Sequence, residues 1–263
     1  MKARRTLLAR AYILHTLPYR DTSRILEVFT REQGRVSMFA RGVRGPKAKL
    51  ASLLQPFQPL LISFTSRGDA AQLVGAESEA ASHPRSNPGS LTGGLPPGAL
   101  LSGFYLNELL LKLTTRHDPN AGLFDGYREA LLALTAGPTQ EPALRHFELR
   151  LLQEVGYGLD LTQTVAGAAV TAQGYYHFRA SGGLFTAAAE HAGAVRGSSL
   201  LKLAQGRLQE ASELADARKV LSAALEDCLE GRPLVTRTVA RACMGTALVP
   251  ESRPGTLKTR ATP

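Results

Sequence analysis

"RVSMFARGVRGPKAKLASLLQ", residues 35–55, holds three kinds of chain in succession. Val36, Met38 and Ala40 alternate with Ser37, Phe39 and Arg41, the period of a strand with one face buried. Arg41, Arg44, Lys47 and Lys49 then crowd together, separated by Gly42, Gly45 and Pro46. Glycine frees the backbone and proline removes a donor, so this segment reads as an exposed, pliable loop. Last, Leu50, Leu53 and Leu54 in "KAKLASLLQ" recur at helical spacing. The neighbours give this order its meaning. Upstream, "ARAYILHTL" (9–17) and "SRILEVFT" (23–30) read as strands, with "REQG" (31–34) as the turn before the third. Downstream, "FQPLLISFT" (57–65) and "AQLVGAESEA" (71–80) read as two more, parted by "SRGDA" (66–70). Five strands with a short helix after the third is the order of an OB-fold, a small Greek-key barrel that often binds nucleic acid.

"ASHPRSNPGSLTGGLPPG", residues 81–98, reads as a linker. Beyond it the apolar period changes to 3.6. "ALLSGFYLNELLLKL" aligns Leu101, Tyr105 and Leu109, and "LFDGYREALLAL" aligns Phe124, Tyr127, Leu131 and Leu134. "EPALRHFELRLLQEVGYG" aligns Leu144, Phe147, Leu151 and Val155, starting near Pro142 and stopping at Gly156. Helices resume at "SSLLKLAQGRL" and "SELADARKVLSAALEDCLEG", with Ser198 and Ser212 as N-cap candidates and Gly231 as a stop. The expectation is an α+β multidomain chain. An OB-fold barrel (1–80) precedes a linker (81–98) and an α-helical bundle domain (99–243), with a small irregular insert at about 160–197. A basic tail (244–263) is expected to be disordered.

The net charge of +9 is unevenly placed. Residues 1–50 carry 12 Lys/Arg against 3 Asp/Glu, whereas residues 51–231 carry 13 against 18. A polarised basic end suits a polyanion, because neutralising phosphates releases counterions. No basic amphipathic helix stands in the first fifty residues and no run spans a bilayer, so nucleic acid is favoured over a membrane. The basic start, "MKARRTLLARAYILHTL", is interrupted by Arg10 and His15 and is not read as a signal peptide. With only Cys228 and Cys243, no disulfide framework is expected, and the reading is cytoplasmic.

Catalytic chemistry is not legible. There is no phosphate-binding loop, and the histidines are scattered with no i, i+4 pair. Glu148 and Glu154 read as solvated helix-surface partners of Arg145 and Arg150, and Cys228 as core. No enzyme is expected, and no cofactor. A protein-interaction adaptor, whose basic barrel docks an acidic partner, is the alternative to a DNA-binding role.

The run "ILHTLPYRDTSRILEVFTREQGRVSMFARGVRGPKAKLASLLQPFQPLLISFTSRGD" resembles the N-terminal barrel of the RecO family of recombination mediators. "GFYLNELLLKL", "LRHFELRLLQEVGYGLDL" and "GRPLVTR" resemble its helical domain, in the expected order. The resemblance implies binding of single- and double-stranded DNA and annealing of complementary strands without ATP. With RecR as partner, it also implies help in loading the recombinase RecA onto DNA coated by single-strand DNA-binding protein (SSB), and hence a nucleoid-associated place. Some members carry a four-cysteine zinc site in the insert; this insert has no cysteine, so no metal is expected.

On this reading Arg41, Arg44, Lys47 and Lys49 reach phosphates, and Arg20 and Arg35 extend the patch. Tyr12, Tyr19, Phe39 and Phe57 are candidates for stacking on bases; about two should be core, and alternation does not say which. The resemblance further implies that the helical domain receives the acidic, apolar-ended tail of SSB. Leu144, Phe147 and Leu151 would supply the apolar face, with Arg145 and Arg150 as flanking cations.

Overall fold

The barrel closes because its first strand is long and bent. The computed structural model describes residues 4–43, 50–67, 70–79, 94–136, 139–179 and 182–246. Strand β1 (Arg4–Tyr19) is bulged between Thr6 and Ala9 and again between Ile13 and His15. Bulges bend a strand and raise its twist, which lets β1 pair with two neighbours. They also break strict alternation, which is why the sequence period shows only from Ala9. β2 (Ser23–Thr30), β3 (Gly34–Ala40), β4 (Leu60–Arg67) and β5 (Ala70–Ser78) complete the closed order β1-β2-β3-β5-β4, with β3 and β5 parallel. This is the expected OB-type barrel. Ile13, Leu26, Val28, Val36, Met38, Ile62 and Phe64 fill its interior.

The short helix expected at 47–55 is not formed over its described part. Residues 50–54 make a hydrogen-bonded turn, with Leu53 N and Leu54 N both bonded to Leu50 O. The leucine spacing marks burial instead, since Leu54 joins the barrel core and Leu50 and Leu53 pack against it. Most of the expected linker, and the tail beyond residue 246, lie outside the described residues.

A 3-10 turn (Pro97–Ala99) leads into α1 (Leu100–Leu113), α2 (Ala121–Ala136) and α3 (Glu141–Glu154). α4 (Gly197–Ala204), α5 (Ala211–Cys228) and α6 (Val235–Thr246) follow the insert. Neither serine N-cap forms. α5 is capped by Glu210, whose side chain and that of Glu213 make a reciprocal capping box, which leaves Ser212 inside the first turn. The insert is not irregular throughout. β6 (Tyr175–Arg179), β7 (Gly183–Ala187) and β8 (Val195–Arg196) form a sheet of order β7-β6-β8.

The two domains share one core. Tyr12, Leu14, Phe29 and Phe57, on the barrel's outer side, belong to the apolar cluster of the helical domain. Tyr12 and Phe29 pack against Phe124 and Tyr127 at 5.1–6.2 Å between ring centroids. Around this seam Arg31 grips Asp125 with two hydrogen bonds of 3.0 and 2.8 Å. Gly34, at φ +66°, lies so close to the Asp118 backbone that a Cβ would stand 2.0 Å from its carbonyl oxygen.

Candidate nucleic-acid interface

The outer face of β1–β3 away from the helical domain carries a row of apolar side chains. Register pairs Leu17 with Ile25, and Ile25 with Phe39. Leu17 is 48% exposed and Tyr19 36%. The Tyr19 ring meets Phe39 at 5.4 Å, and the Arg20 guanidinium lies 5.3 Å from the Tyr19 centroid. Arg20 sits at φ +52° in the β1–β2 turn, a left-handed bend that turns its side chain back over the ring. Arg41, just after β3, is exposed and its side chain has no hydrogen bond or ion pair among the described residues. Tyr19, Arg20, Asp21, Ser23, Phe39 and Arg41 line a cleft of about 600 Å³. Rings beside guanidiniums are what stacking on bases and holding phosphates require.

The four aromatic candidates divide evenly. Tyr12 and Phe57 are in the core, and Tyr19 and Phe39 face the cleft. Arg44, Lys47 and Lys49 lie outside the described residues. Arg35 does not extend the patch. Its side chain is 14% exposed, lies 3.9 Å from Glu27, and donates to Leu111 O at 2.8 Å and Thr114 O at 2.9 Å. It ties β3 to the end of α1, where burial lowers its pKa while Glu27 opposes that shift. Arg24 was missed from the sequence: it is in phase with the inward residues Leu26 and Val28, yet it emerges at the barrel's end.

The apolar stripe expected on α3 proves to be core, because this helix packs on both α2 and α5. Phe147 and Leu151 are buried, and Arg150 turns to the opposite groove beside His146. Glu148 is not a surface group. It is fully buried, accepts from Tyr105 Oη at 2.7 Å, and pairs with Arg145 at 2.9 Å; burial raises its pKa against both partners. Arg150 and Glu154 do form the expected exposed pair, at 3.6 Å.

Leu144 and Arg145 instead border a pocket of about 220 Å³ between α1, α3, α5 and α6, with Leu101, Tyr105, Arg218 and Arg237. Arg145 Nε is buried without a partner among the described residues. Burial works against the Arg237 charge, but Tyr105, Glu148 and Glu226 outweigh it and raise its pKa. Three cations beside Leu101 and Leu144 suit a carboxylate attached to an apolar group. Arg237 ends the stretch "GRPLVTR", so a signal for it stood in the sequence.

Among the described residues no three His, Cys, Asp or Glu side chains are grouped as metal ligands. His177 and His191, scattered in sequence, lie with ring centroids 4.5 Å apart and tilted by 48° in the insert. Burial pushes the Cys228 thiol up to about 11, which makes it an inert core group.

A five-stranded OB-type barrel fused through a shared core to a helical bundle defines the class of molecule. The model for the N-terminal domain of recombination protein O matches residues 1–80, and that for its C-terminal domain matches residues 97–238. The DNA repair protein RecO of Azoarcus sp. is 40% identical over 237 residues, 87% of this chain and 93% of that one. The DNA repair protein RecO of Methylococcus capsulatus is 40% identical over 238 residues, 90% of this chain and 94% of that one. This chain belongs to the RecO family.

Proposed function

We propose that this protein is a DNA repair and recombination mediator that binds single- and double-stranded DNA through its barrel and anneals complementary strands without ATP. The observation that carries the reading is the cleft in which Tyr19 and Phe39 stand beside Arg20 and Arg41, the latter without an ion pair among the described residues. Bases stack on the rings and the guanidiniums hold phosphates, an arrangement tolerant of sequence because every base has a π-face. Arg44, Lys47 and Lys49, which follow Arg41 in the chain, take further phosphates. Arg35 acts as an interdomain tie.

The arginine-lined pocket of the helical domain takes the acidic C-terminal tail of SSB, its terminal carboxylate on Arg145, Arg218 and Arg237 and its apolar end against Leu101 and Leu144. Binding at both places would hold SSB and the DNA it covers on one molecule. With RecR, such a mediator makes room for the recombinase RecA.

Titration of a labelled single-stranded oligonucleotide at two salt concentrations tests the reading. A steep fall of affinity with salt is expected, about 0.7 in log K per log salt for each phosphate contact. Absence of binding at low salt would favour the adaptor, for which an acidic protein partner is the barrel's ligand.

A further inference from the structure

A second cleft of about 400 Å³ lies where the β1–β2 hairpin meets α1. Its walls include His15, Thr16, Pro18, Arg24, Pro56 and Phe104. Three features are not explained by packing. Phe104 is 43% exposed on α1, held edge-on against Phe57 at 5.0 Å with its other side open. Arg24 is half-buried, and its side chain has no hydrogen bond or ion pair among the described residues. The Thr16 hydroxyl is buried without a partner among the described residues. A half-buried cation with no counter-charge among the described residues is well placed to receive an anion.

The hairpin joins this cleft to the one on the barrel's outer face. Pro18 pairs with Arg24 and the next pair along is Tyr19 with Ser23, so consecutive register positions face the two clefts. Beyond Ala11, no described strand pairs with the far edge of β1, leaving the edge at Leu17 and Pro18 free to be crossed.

We propose that the hairpin–α1 cleft is a second single-stranded DNA subsite, in which Arg24 holds a phosphate and the Phe104 ring stacks a base of a strand continuing over the hairpin from the Tyr19 cleft. The proposal rests on the DNA-binding reading of the barrel. Charge favours this occupant, since residues 1–50 carry +9 and no carboxylate among the described residues lines the cleft. The helical domain thereby contributes a ring to a track that begins on the barrel.

The test compares oligo-dT of about 4 and about 16 nucleotides, the span of site sizes for one such barrel. Phe104→Ala and Arg24→Gln should each weaken the longer oligonucleotide about ten-fold and change the shorter less than two-fold. Arg24→Gln should also flatten the salt dependence of the longer one by about 0.7. Phe104→Leu retains an apolar contact with Phe57 but no ring, and should lose the same affinity if Phe104→Ala proves unstable. Equal losses at both lengths, or none at the longer, would overturn the subsite while leaving the barrel reading intact. Failure of the unaltered protein to bind either length at low salt would overturn both.

Discussion

The side-chain amide of Asn107, on the first helix of the bundle, donates to the main-chain carbonyl of Leu14, in the first strand of the barrel, at 2.8 Å. Both groups are buried, and Tyr127 Oη closes the chain by donating to Asn107 Oδ1 at 2.5 Å. Leu14 is the extra residue of the second bulge of β1, where the ladder with β2 is interrupted. A carbonyl freed by a bulge therefore finds its partner in the other domain, which ties the two across their shared core.

Asn107→Ala should accordingly destabilise the whole molecule. It strands the Leu14 carbonyl and the Tyr127 hydroxyl in the core, at a cost of about 2 kcal/mol or more. Asn107→Asp keeps the shape but turns an acceptor toward a carbonyl, and should be at least as damaging at neutral pH. Urea unfolding should show one cooperative transition moved to lower midpoint. An early separate transition for one domain would mean the seam does not couple them.

The arginines of the barrel should separate by role. Arg35→Ala removes the tie to Leu111 and Thr114 and should lower the unfolding midpoint while leaving the salt dependence of DNA binding unchanged. Arg41→Ala should do the reverse, flattening log K against log salt by about 0.7 on single strands. Reversing Arg41, Arg44, Lys47 and Lys49 together to Glu should abolish annealing in a folded protein. An unaltered slope in Arg41→Ala would remove that residue from the interface.

Alternation exposed the barrel because Val36, Met38 and Ala40 face one interior. It missed the outer side, where Tyr12 and Phe29 are as buried as the inner row because a second domain covers them. For the same reason Arg35 read as a surface cation and Glu148 as a solvated one: helical spacing assigns one buried face, and α3 has two. Cys228 and the α2 stripe of Phe124, Tyr127, Leu131 and Leu134 were legible because each lies on the broad apolar face that its helix buries. Arg218 and Arg237 lie far from Arg145 in sequence, so no local pattern could assemble their pocket.

His146 gives the fold a pH dependence of calculable sign. Its Nε2 is buried without a partner among the described residues, in a groove it shares with Glu129 and Arg150, and burial lowers its pKa below the ordinary 6.5. Between the folded and ordinary values the unfolded chain holds more protons, so stability rises with pH through that window and is lost as pH falls through it. His146→Gln should remove this component, narrowing the difference in unfolding free energy between about pH 8 and about pH 5.5. An identical pH profile in the variant would assign the dependence to other groups.

The tail pocket makes the sharpest separation between stability and binding, because Arg145 serves both. Arg145→Ala removes a ligand for the incoming carboxylate and also leaves Glu148 buried without its cation. Truncating one partner of a desolvated charge pair costs about 2–5 kcal/mol, so an acidic peptide ending in an apolar residue should lose detectable binding. That variant alone would not distinguish lost contact from a damaged fold. Glu148→Gln does, since it too breaks the Arg145 pair and should lower the unfolding midpoint, yet it leaves the guanidinium in place with less to neutralise it. Peptide affinity should therefore hold or rise in Glu148→Gln. Arg218, whose side chain is 63% exposed and pairs with Glu141 at 3.2 Å, supplies the mild case. Arg218→Ala should weaken the peptide by about five-fold, as solvated charges do, with stability unaltered. Calorimetric titration of the three variants, each beside its urea midpoint, gives the answer. Peptide affinity that fell in step with stability in both core variants, and stayed constant in Arg218→Ala, would move the tail's carboxylate to another surface.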